Sequence, residues 1–218
     1  YMPLIPEAIY FMLACARIGA IHNVIFAGFA SESISQRIQD SEAKIIFTAD
    51  AYMRGHKKVE LKSVVDEALA SCPSVEQVIV FNRLNDAVNW QEGRDIWYHE
   101  LLQRVESHCP YESMDSDSPL FILYTSGSTG KPKGILHTTA GYALHAAMTY
   151  YYIFNHQEDS IHWCTADIGW ITGHTYSVYG PLLNGGTIVL FESIPNYPDF
   201  SRYWQIIEKF KVTSFYTA

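Results

Sequence analysis

Between two apolar runs the chain places Tyr-Thr-Ser-Gly-Ser-Thr-Gly-Lys-Pro-Lys-Gly, residues 124–134. Thr125, Ser126, Ser128 and Thr129 bring hydroxyls, Gly127 and Gly130 expose backbone amides, and Lys131 and Lys133 bring ammonium charges. Donors of these three kinds in one loop are what the oxygens of a polyphosphate demand. A plain surface hairpin also tolerates a Gly-Ser-Thr-Gly run, but it has no use for all the donors together. A Walker-type loop needs G-x-x-x-x-G-K followed by Ser or Thr. Here Thr125 stands in the place of the first glycine and Pro132 follows Lys131. Pro132 biases Lys131 away from the helical region, so the chain resumes as a strand at Gly134-Ile135-Leu136-His137. The stretch reads as a loop at the tip of two strands that closes on phosphates.

Further groups carry chemistry. In Thr-Ala-Asp-Ile-Gly-Trp-Ile-Thr-Gly-His, residues 165–174, the indole of Trp170 stands beside the β-branched Ile171 and Thr172. Such a group either narrows a pocket toward a small acid or simply packs a core. Arg54 and Lys57, in Arg-Gly-His-Lys-Lys, form either a solvated loop or a seat for phosphates. His162 and Cys164 share one face of a strand, with His137, His145 and His174 near in sequence. Their spacing completes no usual metal set, and the histidines read as structural or pocket-lining. Asp167 either orients a neighbour or, the preferred reading, caps the helix that follows it.

The elements that must hold these residues alternate. Pro6 and Glu7 suit the first turn of a helix that Gly19 ends, and His-Asn-Val-Ile-Phe, residues 22–26, reads as a short buried strand. Ser31 is expected to cap a second helix, followed by a strand at 44–49. A third helix over 61–71 leads into a strand at 77–81. Polar residues then form a surface insertion, with a short helix from 97 to 106 and a loop before Pro119. Beyond it come a strand at 120–125, the glycine loop, a strand at 134–138, a helix at 140–154 and a strand at 161–166. A helix at 173–183, a strand at 187–191 and a helix at 201–210 complete the pattern. This alternation argues an α/β fold with a parallel sheet and helices on its faces.

Composition sets bounds. The chain has 218 residues, 48% of them hydrophobic and 14% aromatic, enough for a substantial core. Its 15 basic against 23 acidic residues give a net charge of −8. No basic run is long enough to track a phosphodiester backbone, which argues against a nucleic-acid partner. The most apolar stretch, 8–29, is broken by Arg17, Gly19, His22 and Asn23, so no membrane partner is expected. Cys15, Cys72, Cys109 and Cys164 form no C-x-x-C pair and read as reduced thiols of a cytoplasmic protein. Both ends are apolar and look cut, so the chain is read as an internal piece of a larger protein.

The order Thr-Ser-Gly-Ser-Thr-Gly-Lys-Pro-Lys-Gly resembles the signature of the adenylate-forming superfamily of acyl-CoA synthetases, adenylation domains and luciferases. The resemblance runs over nearly the whole chain. Its segments 165–174 and Pro-Asn-Tyr-Pro, residues 195–198, are similar to those of AMP-forming acetate–CoA ligases. The resemblance implies the layered parallel-sheet architecture of that superfamily's N-terminal domain, here incomplete. Residues 1–117 would be its first α/β part, with the surface insertion near 82–117. Residues 118–218 would carry the phosphate loop and the CoA and acyl pocket of the same AMP-binding domain.

It further implies ligation of acetate to coenzyme A through an acetyl-adenylate, with ATP and CoA as substrates, Mg2+ as the metal ion, and AMP and pyrophosphate released. Lys131, with the loop's hydroxyls and amides, would hold the departing phosphates; Lys133 either touches them or only anchors the loop. Trp170 would gate the passage between acyl pocket and CoA tunnel, with Ile171 and Thr172 bordering acetate and, for Thr172, the CoA arm. Arg54, Lys57 and Asn196 would meet the CoA nucleotide. Where the family pattern often shows two arginines three apart, Lys57 keeps the charge without the bidentate fork. The principal catalytic lysine and the adenine, ribose and magnesium motifs are expected outside this chain, which alone should not turn over. A propionyl-CoA or acetoacetyl-CoA synthetase is the rival within the class, and a non-catalytic nucleotide-binding module the rival outside it.

Overall fold

The computed structural model describes residues 1–125 and 131–217. Helix α1, Pro6–Arg17, opens with Pro6 in its first turn and ends before Gly19, whose φ of +68° continues the chain in the left-handed region. Helix α2, Ser31–Ser41, buries Ile34 and Ile38 one turn apart, and α3, Leu61–Leu69, buries Leu61, Val65 and Ala68 on a single stripe. These stripes cover parallel strands β1, Ile45–Ala49, and β4, Gln77–Phe81, in register from Ile45↔Gln77 to Ala49↔Phe81. Strand β4 buries Val78, Ile79 and Val80 in succession, as expected for a strand covered on both faces. Strand β5, Asp95–Trp97, adds to the other edge of β4.

Between β1 and α3 lies a small antiparallel hairpin of β2, Tyr52–Arg54, and β3, Lys57–Val59. Helix α4, Tyr98–Leu102, follows β5. The second half begins with the antiparallel pair β6, Pro119–Thr125, and β7, Lys133–Thr138, then α5, Thr139–Ile153. A second parallel sheet orders β10, Ser214–Tyr216, against β8, Ile161–Cys164, against β9, Thr187–Ile188. From Ile171 to Leu183 the chain is continuously helical: α6, Ile171–Gly173, passes through a π-helical stretch, His174–Tyr179, into α7, Gly180–Leu183. Helix α8, Ser201–Phe210, leads into β10.

The α/β alternation holds, with local corrections. Residues 22–26 form only isolated parallel bridges, His22↔Phe121 and Met2↔Phe26, because each end of the stretch pairs with a different neighbour. Ser31 is the first helical residue of α2; the cap position is Ala30, and no side chain caps it. The short helix expected over 97–106 spans Tyr98–Leu102, and only Thr187 and Ile188 of the 187–191 run pair as a strand.

The polar insertion is tied down by buried charge. The buried Asp50 carboxylate accepts the amides of Arg83 and Asp86, both at 2.8 Å. The buried Lys62 ammonium lies 2.7 Å from Asp66 and 2.9 Å from Asp95, and donates to the Asn89 carbonyl at 3.0 Å. Arg94 closes the knot, 2.6 Å from both Asp66 and Asp95.

Candidate functional site

The stem of the glycine loop is the β6–β7 pair, in register out to Thr125↔Lys133. Residues directly opposite on antiparallel strands share a face, so Thr125 and Lys133 stand together at the tip, both exposed, as is Lys131. Ser126, Gly127, Ser128, Thr129 and Gly130 lie outside the described residues. One position down the stem, Tyr124 faces Gly134. A Cβ at Gly134 would come within 3.1 Å of the Tyr124 ring and 2.9 Å of Ile122, so glycine makes room for the ring to lie across β7. The Tyr124 hydroxyl donates to Asp40 Oδ2 at 2.6 Å. Burial, then that bond, holds its pKa well above the ordinary tyrosine value.

Trp170 lies on the far side of the segment 26–29. It lines a cavity of about 240 Å³ together with Arg54, Phe26, Asp167, Cys164 and Ser193. This cavity opens beyond the C-terminal end of the parallel strand β8, where ligands of parallel α/β sheets characteristically bind. Trp170 is 48% exposed, with its ring 6.4 Å from Phe26 and 6.3 Å from Phe29. Ile171 and Thr172 are the first residues of α6, directly after it, and do not line the cavity. The start of the helix is pressed against the preceding turn: a Cβ at Gly173 would fall 2.0 Å from the Asp167 carbonyl. Asp167 is not the helix cap expected from the sequence. Its Oδ1 accepts the Gly169 amide at 2.7 Å and so closes the turn before the helix. Burial pushes the Asp167 carboxyl up, against the pull of the Gly169 amide and of Arg54.

The expected nucleotide-facing residues come together from distant segments. Arg54 and Lys57 are cross-strand partners flanking the Gly55-His56 turn and share one face of the hairpin. Lys58, on the other face, is taken up by Asp86 at 2.7 Å and Glu60 at 3.2 Å. Among the described residues no carboxylate lies within ion-pair distance of Arg54, Lys57, Lys131 or Lys133. The turn docks on the loop that holds Asn196: the Gly55 amide donates to Ser193 Oγ at 2.6 Å, and His56 lies 6.1 Å from Tyr197. Asn196 is exposed. The Arg54 guanidinium sits 5.3 Å over the Phe26 ring, which ties the cationic rim to the aromatic wall.

Sequence reasoning passed over Phe26, Phe29 and Arg37. The signal that would have found them is Phe-Ala-Gly-Phe, a glycine between aromatics, preceding a helix with an arginine on its apolar face. Two of the histidines are buried among rings. His174 lies between Phe121, at 4.7 Å, and His22, at 5.6 Å, and burial lowers its pKa to about 4. His22 shares a 2.7 Å hydrogen bond with the Tyr179 hydroxyl, and burial lowers its pKa to about 3.

A family model described as AMP-binding enzyme matches residues 1–218, and the chain belongs to that family. Among curated proteins it is 57% identical over its whole length to acetyl-coenzyme A synthetase 2 of Pseudomonas aeruginosa and 55% identical to acetyl-coenzyme A synthetase of Magnetococcus marinus. In each case it spans 34% of the relative, about a third of its length. Among solved structures, acetoacetyl-CoA synthetase from Streptomyces lividans superposes with a TM-score of 0.89 at 29% identity, over 99% of this chain and 32% of that one.

Proposed function

We propose that the protein to which this chain belongs ligates acetate to coenzyme A at the expense of ATP. A carboxylate oxygen of acetate attacks the α-phosphorus, the bond to pyrophosphate breaks, and acetyl-adenylate forms. The CoA sulfur then attacks the acyl carbon, and AMP leaves. Residues 1–117 and 118–218 serve as two parts of one AMP-binding domain. The observation that carries this reading is that Arg54 and Trp170, chosen for the CoA rim and the acyl gate, line one cavity. The 57% identity to an acetyl-coenzyme A synthetase supports acetate over the acetoacetate of the 29% identical structural neighbour.

Departure of pyrophosphate builds negative charge on the leaving group. Lys131, the hydroxyls of Thr125, Ser126, Ser128 and Thr129, and the amides of Gly127 and Gly130 act by holding that charge in line. Lys133, beside Thr125 at the stem, adds a second ammonium at the same end. Trp170 closes the acyl pocket, with Ile171 and Thr172 behind it. Arg54, Lys57 and Asn196 bind the CoA nucleotide. Mg2+ supplied with ATP would offset the charge of the phosphates. Among the described residues no group of three or more His, Cys, Asp or Glu is arranged to hold a metal. No described helix is long and apolar enough to cross a membrane. The four cysteines, free thiols, support the reading of a cytoplasmic setting.

The test is acetate-dependent exchange of pyrophosphate into ATP by the full-length protein, followed by CoA-dependent AMP release. Acetate should support exchange best, with propionate second. Preference for butyrate would overturn the acetate assignment, and nucleotide binding without exchange would leave a non-catalytic module.

A further inference from the structure

The cavity beside Trp170 is lined by polar groups of two kinds. Some are already partnered: Ser193 Oγ accepts the Gly55 amide at 2.6 Å, and Thr165 Oγ1 shares a 2.8 Å bond with Thr217 Oγ1. Tyr52 is different. It lines the cavity and is 4% exposed, yet among the described residues its hydroxyl has no hydrogen-bond partner. A buried phenol ordinarily finds one. Unlike the Tyr150 hydroxyl, which is shut inside the core without a partner, that of Tyr52 opens onto the cavity. Asp167, half-buried in the turn after β8, lines the same space. Its Oδ1 accepts the Gly169 amide at 2.7 Å, and its Oδ2 has no donor among the described residues. Burial raises the Tyr52 pKa; Arg54, which lowers it, and Asp167, which raises it, both lie close enough to act on the hydroxyl.

Tyr52 and Arg54 stand two apart on β2 and so project to one side of the hairpin. Arg54 is exposed and Tyr52 buried, so this wall runs from charge at the mouth to an uncharged hydroxyl within. Much of the remaining lining is apolar, including Phe26, Trp163, Trp170 and Phe191. Such a surface selects an uncharged ligand segment that both accepts and donates a hydrogen bond. A carboxylate there would be repelled by Asp167, and a plain alkyl chain would cover the hydroxyl and Oδ2 without partnering either. We propose that Tyr52 and Asp167 form an amide seat, in which the hydroxyl donates to a ligand carbonyl and Asp167 Oδ2 accepts the ligand N–H. The identity of that ligand rests on the reading above: the amide lies in the arm of coenzyme A between its nucleotide and its thiol. Phosphates at Arg54, an amide at Tyr52 and Asp167, and a thiol toward Trp170 follow the order of those groups in the molecule. At about 240 Å³ the cavity is smaller than the ~300–1,000 Å³ that encloses a whole drug-sized ligand, so it takes a segment of the arm.

The experiment titrates the full-length protein calorimetrically, with AMP present, against two ligands. One is CoA; the other is adenosine 3′,5′-bisphosphate, which keeps the nucleotide end and has no amide. Tyr52→Phe should weaken CoA about fivefold, the scale of one neutral hydrogen bond. Asp167→Asn, whose side-chain oxygen still serves the Gly169 amide, should weaken CoA about tenfold, because the acceptor it removes is charged. Neither change should move the affinity for the bisphosphate, whereas Arg54→Ala should weaken both ligands. Tyr52→Phe, which removes a single oxygen, carries the test if the asparagine variant fails to fold. Equal weakening of the two ligands, or an unchanged CoA affinity in either folded variant, overturns the amide seat and leaves the functional reading standing. Absence of CoA binding by the unaltered protein overturns that reading and the seat with it.

Discussion

Two buried cations, Lys62 and Arg37, sit in opposite electrostatic settings. Lys62 meets Asp66 and Asp95, and Arg94 ties those carboxylates together. Arg37 meets a carbonyl and two rings. The first knot is neutralised within itself and joins α3 to the polar insertion, so its effect is on the fold. The second leaves a positive charge beneath the stem of a loop whose own Lys131 and Lys133 are also without a carboxylate among the described residues. The same division runs through the β2–β3 hairpin, where Lys58 is paired on one face and Arg54 and Lys57, on the other, have no carboxylate partner among the described residues. The paired cations tie elements of this molecule together, and those without a carboxylate partner among the described residues include the ones proposed to meet phosphates.

Two substitutions probe that division, and a third probes the wall of the pocket beside it. Asp95→Ala attacks the paired side and leaves Lys62 short of a counter-charge, and we expect a loss of about 3–5 kcal/mol in unfolding free energy by denaturant titration. Burial pushes the Asp95 carboxyl up, but bonds from Arg94 and Lys62 outweigh it and hold its pKa below the ordinary value. Its contribution is thus complete above the unfolded carboxylate pKa of about 4 and is lost as pH falls through the folded value, so the gap between variant and parent should close in acid. A gap independent of pH would mean that packing rather than charge carries the effect.

Lys131→Ala attacks the unpaired side. In the full-length protein adenylation should fall about a hundredfold or more with the melting temperature unchanged, and thioester formation from supplied acetyl-adenylate should fall much less. Equal losses in both half-reactions, or a loss of stability instead, would erase the distinction between the two kinds of cation. Trp170→Gly carries the smallest expected effect, raising kcat/KM for propionate relative to acetate by about tenfold as the wall of the pocket recedes. An unaltered ratio would return Trp170 to simple packing.

Much of the fold was legible along the chain. The stripes of Ile34 and Ile38, and of Leu61, Val65 and Ala68, are local periodicities, and the apolar runs at β1 and β4 announce parallel strands by their composition. Residues 22–26 misled because their composition suits a strand while their pairing is divided between Met2 and Phe121. Ser31 has the chemistry of a cap, but the helix begins one residue earlier than a cap there would allow. Asp167 has it too, and spends its carboxylate on the turn. Arg37 could be singled out as an arginine on the apolar face of α2, but nothing in Ser-Gln-Arg-Ile tells which rings its guanidinium will meet.

The order of hydroxyls, glycines, lysines and proline in residues 124–134 is enough by itself to expect a loop between two strands, which β6 and β7 supply, and to propose phosphate-binding chemistry for it. Those are properties of neighbouring residues and of the backbone angles proline permits. The site as a place was decided only in three dimensions. The Gly55 amide meets Ser193 across 138 positions of sequence, Tyr124 meets Asp40 across 84, and Arg54 reaches the cavity of Trp170 through contacts no local pattern encodes. Such contacts form because the sheets and helices bury their apolar faces together, and that shared burial sets where the exposed chemistry converges.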